Sequence, residues 1–249
     1  ILLAMPYLRG RTPYSGEFYA FLLIVTLAIC LAVSSVNLIM IYLGMEFLSI
    51  TSYVLAGYLR QDRKSGEAAV KYFLYGATAS AVMLYGMSLL FGATGTTDLV
   101  GIRNALAAKP VNDLLWLTAP AIILLLAGFG FKASLVPFHQ WAPDTYEGAP
   151  TPITAFLSTA SKATGFAIMI RVFIVALGLA QMQWIALLVA VSVVTMTLGN
   201  LAALRQTNVK RLLAYSSIAQ AGYILIGLAA VLADPSRTFT GLNCLLFYL

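Results

Sequence analysis

Apolar residues in this chain run in continuous stretches, separated by short clusters of Arg, Lys, Asp, Pro, Gly and Asn. A membrane-spanning helix needs ~20 apolar residues. The punctuation therefore predicts helices at about 17–36, 37–59, 67–93, 114–142, 152–178, 183–204 and 209–232, with an eighth beginning near Thr238. The runs lack the ~10-residue alternation of a membrane barrel, so strands are not expected. The longest connection, Gly95–Asp113, carries a short amphipathic helix over Val100–Ala108. No linker is long or polar enough to mark a soluble domain. The pattern predicts an all-α, polytopic transmembrane helix bundle forming a single membrane domain over 1–249.

Composition excludes an ordinary soluble protein. The 249 residues are 61% hydrophobic and 10% charged, with a mean hydropathy of +0.89, where soluble domains run at roughly 45–50% apolar and about 25% charged. Lys and Arg number 15 against 9 Asp and Glu, a net charge of +6. So few charges cannot build a basic face for nucleic acid, and the surplus reads instead as membrane topology. Numbering the connections alternately places Arg9, Arg11, Arg60, Arg63, Lys64, Arg205, Lys210 and Arg211 on one side and Arg103, Lys109 and Arg237 on the other. The positive-inside rule makes the Arg60/Lys64 and Lys210/Arg211 side cytoplasmic or its equivalent, and the expected location is a bacterial plasma membrane. The loop Asp144–Pro152 falls on that side without a positive charge.

Cys30 and Cys244 each lie in an apolar run with no second cysteine nearby, so neither a disulfide framework nor a metal site is expected. The chain begins at Ile1 and ends inside the apolar run Gly241–Leu249, too short to cross a bilayer, and reads as an internal piece of a longer protein. No small-residue cleavage site follows Ile1–Tyr7, so a signal peptide is not expected.

Some charges fall where a bilayer penalises them. Glu46 lies midway along its predicted helix, where a carboxylate costs on the order of 2.5–3.5 kcal/mol. Lys132 and Lys162 sit more than two turns from their predicted helix ends, too deep for easy snorkelling. Each could be a structural ion pair. Three at similar depth on three helices favour a Glu–Lys set that exchanges protons as its pairing changes, the chemistry of a proton relay. Lys71 follows Glu67 at the i,i+4 spacing of a surface ion pair, and Arg171 is close enough to a helix end to snorkel.

Pro137 falls five residues after Lys132 and two before the only histidine, His139. A proline removes its own N–H and leaves the Ala133 carbonyl without its helical partner. Broken backbone at membrane depth is tolerated only where it faces protein or a water-filled cavity. A Pro-broken helix beside a buried lysine therefore points to an ion pathway. Ser158, Thr159, Ser161, Thr164 and Gly165 surround Lys162 with hydroxyls and a small residue, suited either to close helix packing or to holding water.

Five segments in order carry a family resemblance: Tyr-Leu-Gly-Met-Glu46-Phe-Leu, Ala-Val-Lys71-Tyr-Phe, Gly-Phe-Gly-Phe-Lys132-Ala-Ser-Leu-Val-Pro-Phe-His139, Thr-Ala-Ser-Lys162-Ala, and Lys210–Tyr223. From about Tyr14 to Tyr223 the chain resembles the antiporter-like membrane subunits of respiratory complex I, most of all the smallest of them. The resemblance implies an antiporter-like inverted-repeat fold of fourteen helices. Residues 17–178 would be the first five-helix repeat, and 183–249 the start of the second, inverted one. It further implies Glu46 as acidic partner, Lys132 as central proton carrier, Lys162 as relay toward the second half, Lys71 as a family lysine and His139 as a link to the cytoplasmic side.

The implied partners are the lipid bilayer and other membrane-arm subunits of complex I, with protons as the only small substrate. NADH, FMN, iron–sulfur clusters and quinone would serve other subunits. No GxGxxG motif, cysteine cluster or haem ligand pair is present, so this chain should carry no cofactor or redox chemistry itself. Two other functions remain open at this point: a subunit of a multi-subunit cation/proton antiporter, and a structural membrane scaffold whose charges only lock helices together.

Overall fold

Short polar side chains start several helices where the sequence is punctuated. Asn37 accepts from the Ile39 amide (2.9 Å), Asp62 from Lys64 (3.0 Å), Asp98 from Gly101 (2.7 Å) and Asn208 from Lys210 (2.9 Å), each satisfying a free donor of a first turn. The structure, a computed structural model, describes residues 1–108, 111–177, 181–233 and 238–248. The helices are α1 (Ala4–Leu8), α2 (Ser15–Ser34), α3 (Leu38–Ala56), α4 (Arg63–Thr94), α5 (Leu99–Ala107), α6 (Val111–Ala133), α7 (Trp141–Gly148), α8 (Thr151–Phe156), α9 (Lys162–Arg171), α10 (Gln181–Leu204), α11 (Val209–Ala233) and α12 (Thr238–Tyr248). Helices α8 and α9 belong to one rod, Thr151–Ala176, interrupted by π-turns at Leu157–Ser161 and Val172–Ala176. No strand occurs among the described residues.

Among the described residues six helices, Ser15–Ser34, Leu38–Ala56, Arg63–Thr94, Thr151–Ala176, Trp184–Leu204 and Val209–Ala233, are long and apolar enough to cross a membrane, and Thr118–Ala133 is a shorter apolar stretch. Their outer faces carry exposed Leu23, Leu27, Phe73, Leu74, Leu84, Val194 and Leu201, as lipid contact requires. The amphipathic helix in the 95–113 connection is α5, which buries Leu99, Ile102 and Leu106 on one face. Helix α1 has no counterpart in the predicted pattern. Lys109 and Arg237, assigned to loops from the sequence, lie outside the described residues.

The sequence pattern overstated one helix. The span expected at 114–142 is two helices, α6 and α7, with non-helical backbone between them. The break also starts earlier than Pro137. Ser134 takes a left-handed conformation (φ 60°), its amide bonds to the Phe131 carbonyl (3.1 Å), and the Leu135 amide bonds to the Gly130 carbonyl (2.7 Å). That pair of bonds is a Schellman motif with serine at the position glycine usually takes. The helix is thus already closed before the missing proline N–H could open it. Lys132 consequently lies one residue from a helix end, not two turns inside.

The ion pairs gather three connections at one end of the bundle. Lys64 meets Glu147 at 2.9 Å, Arg211 meets both Asp144 and Glu147, and Lys210 donates to the Ala149 carbonyl at 2.9 Å. The loop that lacked positive charge therefore supplies the carboxylates that the neighbouring cations pair with. At the other end Leu38 donates to Thr97 (2.8 Å) and Leu99 to Val36 (2.9 Å), joining the start of α3 to the α4–α5 connection.

Candidate functional site

Lys132 is placed by the break. As a residue in the last turn of α6 it faces the negative end of the helix dipole, which favours a cation. Its side chain is 1% exposed. The stem packs on α9 because Gly165 leaves room: a β-carbon there would stand 3.2 Å from the Lys132 β-carbon. Gly165, read beside Lys162 in the sequence, thus fits against Lys132 instead. The ammonium donates to Ser49 Oγ on α3 at 3.0 Å. Ser49 is three residues after Glu46, so Lys132 contacts the same helix about one turn from the carboxylate.

Glu46 and Lys132 form no direct ion pair among the described residues. The Glu46 carboxylate accepts a hydrogen bond from Ser80 on α4, and the Tyr42 hydroxyl lies 3.3 Å from that serine. Lys162 is 5% exposed and donates to both the carbonyl and the hydroxyl of Ser217 on α11, each at 2.9 Å. Its ammonium also stands 5.8 Å from the centre of the Tyr146 ring. A π-turn widens the helix immediately before Lys162, a distortion that recurs at functional sites. Each deep charge is therefore met by a serine from another helix. An open cavity of about 580 Å³ touches Lys162, Thr159, Thr154, Ser217 and Lys210, and so leads from the buried ammonium toward the charged end of the bundle.

The non-helical stretch after Lys132 is held from outside. The Val136 amide donates to Thr195 Oγ1 on α10 at 3.1 Å, and the Trp141 indole closes across the break onto the Phe131 carbonyl at 2.9 Å. His139 is half-buried, and its Nδ1 makes no hydrogen bond among the described residues.

Lys71 lies apart from these groups. It pairs with Glu67 (2.8 Å), as its spacing predicted, and with Asp144 of α7 (2.7 Å), and its side chain is 41% exposed. Asp144 is shared with Arg211. Burial pushes the Asp144 carboxyl up, but Lys71 and Arg211 outweigh that and hold it below its ordinary value. Hydrogen bonding from Lys64, with Arg211 behind it, likewise holds Glu147 low. Arg171, expected to snorkel, donates to the Val33 carbonyl in the last turn of α2.

Sequence reasoning found the charges and missed the hydroxyls around them: Ser49 and Ser217, which accept from Lys132 and Lys162, Ser80, which donates to Glu46, and Thr195, which accepts from the Val136 amide in the break. Serine and threonine are common in membrane helices, and only the folded bundle distinguishes these four.

Comparison with known proteins places this arrangement. The family described as NADH:quinone oxidoreductase/Mrp antiporter, transmembrane, matches residues 35–249. The chain belongs to this family. Among its members, NADH-quinone oxidoreductase subunit N 2 of Symbiobacterium thermophilum is 51% identical over 97% of this chain and 48% of its own length. Subunit N of Heliobacterium modesticaldum is 45% identical over the whole chain and 50% of its own length. The chain spans about half the length of the curated relatives it matches. In respiratory complex I from Thermus thermophilus, solved with bound aureothin, one chain is 42% identical and superposes with a TM-score of 0.72, covering 85% of this chain and 45% of that one. A chain of the Mrp complex from a Dietzia species is 26% identical with a TM-score of 0.75, over 84% of this chain and 38% of its own. The fold is the antiporter-like one that the sequence motifs implied.

Proposed function

We propose that this chain forms the proton-conducting core of a membrane-arm subunit of an NADH:quinone oxidoreductase. The observation that carries the reading is a lysine ammonium, 1% exposed, at the end of a broken helix and joined through one serine to the helix that bears Glu46. A buried ammonium with a single side-chain acceptor can release its proton when its surroundings change.

In this reading Glu46 is the acidic partner of Lys132, and Lys132 is the central carrier. Lys162 passes the proton toward the second half of the subunit, and Lys71 and His139 act on the side of the charged loops. Electron transfer in other subunits, which hold the NADH, flavin, iron–sulfur and quinone chemistry, alters the pairing and hydration of these groups. The Arg60/Lys64 and Lys210/Arg211 end faces the cytoplasm of a bacterial cell, because cytoplasmic loops carry excess Lys and Arg.

Lys132→Ala in the full-length protein tests the assignment. NADH-driven proton uptake by inverted membrane vesicles should be lost while the complex still assembles. Undiminished pumping in an assembled complex would overturn it. A cation/proton antiporter subunit is the second reading, supported by the superposition on the Mrp chain. The identities of 45–51% to chains named subunit N favour the first. Sodium/proton exchange by vesicles without NADH would favour the second.

A further inference from the structure

The second piece of the broken helix, α7, is gripped at its charged end and closes against the end of α6 at the other. Asp144 and Glu147, three residues apart, share one face of this eight-residue helix. From α4, Lys64 reaches Glu147 at 2.9 Å and Lys71 reaches Asp144 at 2.7 Å. From α11, Arg211 reaches both carboxylates, and Lys210 donates to the Glu147 and Ala149 carbonyls at 3.3 and 2.9 Å. The backbones are close as well: a β-carbon at Gly148 would stand 2.3 Å from the Lys64 carbonyl oxygen. Asp144 draws on Lys71, which has a place in the pathway above. Glu147 meets Lys64 and Arg211, which have none.

The opposite end of α7 begins at Trp141, 1% exposed. Its indole donates to the Phe131 carbonyl at 2.9 Å, and its ring stacks on Tyr72 of α4 at 4.3 Å. Phe131 is the residue before Lys132. Two turns of helix, about 12 Å at 1.5 Å per residue, separate the ends of α7. A hydrogen-bonded helix that short moves as one piece, and residues 134–140, which join it to α6, have no helical ladder to resist the movement. A displacement at the gripped end therefore reaches the Phe131 carbonyl.

We propose that Glu147 is a positioning residue for Lys132. By clasping α7 between α4 and α11 it fixes the Trp141–Phe131 closure beside the buried ammonium. Arg211 stands on α11, so the clasp makes the setting of Lys132 depend on where that helix lies. This rests on the lysine pathway proposed above and adds to it a residue that touches none of its members.

The test is Glu147→Gln in the full-length protein within its assembled complex, with Glu147→Asp as the conservative variant and Lys132→Ala as control. Glu147 is partly exposed at the end of the bundle, so the complex should still assemble. Amide hydrogen exchange over residues 135–141 should quicken roughly two- to tenfold, the weight of the two ion pairs removed. Proton pumping per NADH oxidised should fall by a similar factor, and Glu147→Asp should recover both in part. Unchanged exchange in Glu147→Gln would overturn the clasp. Quickened exchange with undiminished pumping would overturn the positioning role and leave the lysine pathway standing. Loss of assembly in both Glu147 variants would also overturn it, because the carboxylate would then serve the fold as a whole. Normal pumping in Lys132→Ala would reject the lysine pathway itself, whatever the exchange rates.

Discussion

Replacing Lys132 with methionine separates a functional charge from a structural one. The ammonium is almost wholly buried, uses one of its three donors on Ser49, and has no carboxylate within ion-pair distance among the described residues. Burying an ammonium costs several kcal/mol even after relaxation. Against this stand about 1.5–3 kcal/mol for a hydrogen bond to a charged group and at most ~2 kcal/mol from the helix dipole. The balance leaves the charge a net burden. Methionine matches the stem in length and keeps its packing on Gly165. Lys132→Met should therefore stabilise the protein by roughly 1–4 kcal/mol, the range seen when buried charges give way to well-packed apolar groups. For a protein of this size or larger that is an upward shift of a few degrees. Thermal unfolding of the solubilised full-length protein, followed by fluorescence, measures it, with Trp141 as a reporter beside the break. A fall in melting temperature matching a loss of 3 kcal/mol or more would refute the reasoning. It would mean that Lys132 and Glu46 are an obligate ion pair and that removing one strands the other.

Thr195→Val should cost about 1–3 kcal/mol by leaving the buried Val136 amide unmatched, and should speed hydrogen exchange at Val136. Exchange no faster than in the parent protein would remove Thr195 from the account of the break. The loop carboxylates give a pH signature. Asp144 and Glu147 are held below their ordinary values, so the stability they add is complete above the unfolded carboxylate range and is lost as pH falls through their lower folded values. Melting temperature should decline below about pH 4, and Arg211→Gln should flatten that decline. An unchanged acid profile in the variant would show that the pairs contribute nothing.

The bundle was legible in the sequence because lipid imposes one rule on every spanning segment: long apolar runs with paired backbone. The deep charges were legible for the same reason, since Glu46, Lys132 and Lys162 violate it. The break was only half legible. Pro137 marks its neighbourhood, but the helix closes at Ser134, a residue with no strong stop signal, where the left-handed turn is favoured by the tertiary setting. Charge counting could not reveal that the 144–152 connection pairs with its neighbours, because the rule counts cations and this loop contributes anions. The serine partners lie 34 to 83 residues from the charges they meet, so their roles depend on which helix faces which.

Thr195 belongs to α10, outside the 17–178 unit that the family resemblance marks as one repeat, yet it supplies the partner for the Val136 amide in the break beside Lys132. Asp144 likewise joins Lys71 of α4 to Arg211 of α11. The five-helix unit is therefore not a self-sufficient module. A version cut after residue 178 would leave Val136 facing the membrane interior with an unmatched donor and Asp144 without one of its two cations. Swapping such units between family members would succeed only where the incoming α10 and α11 keep a hydroxyl and a guanidinium at those two points.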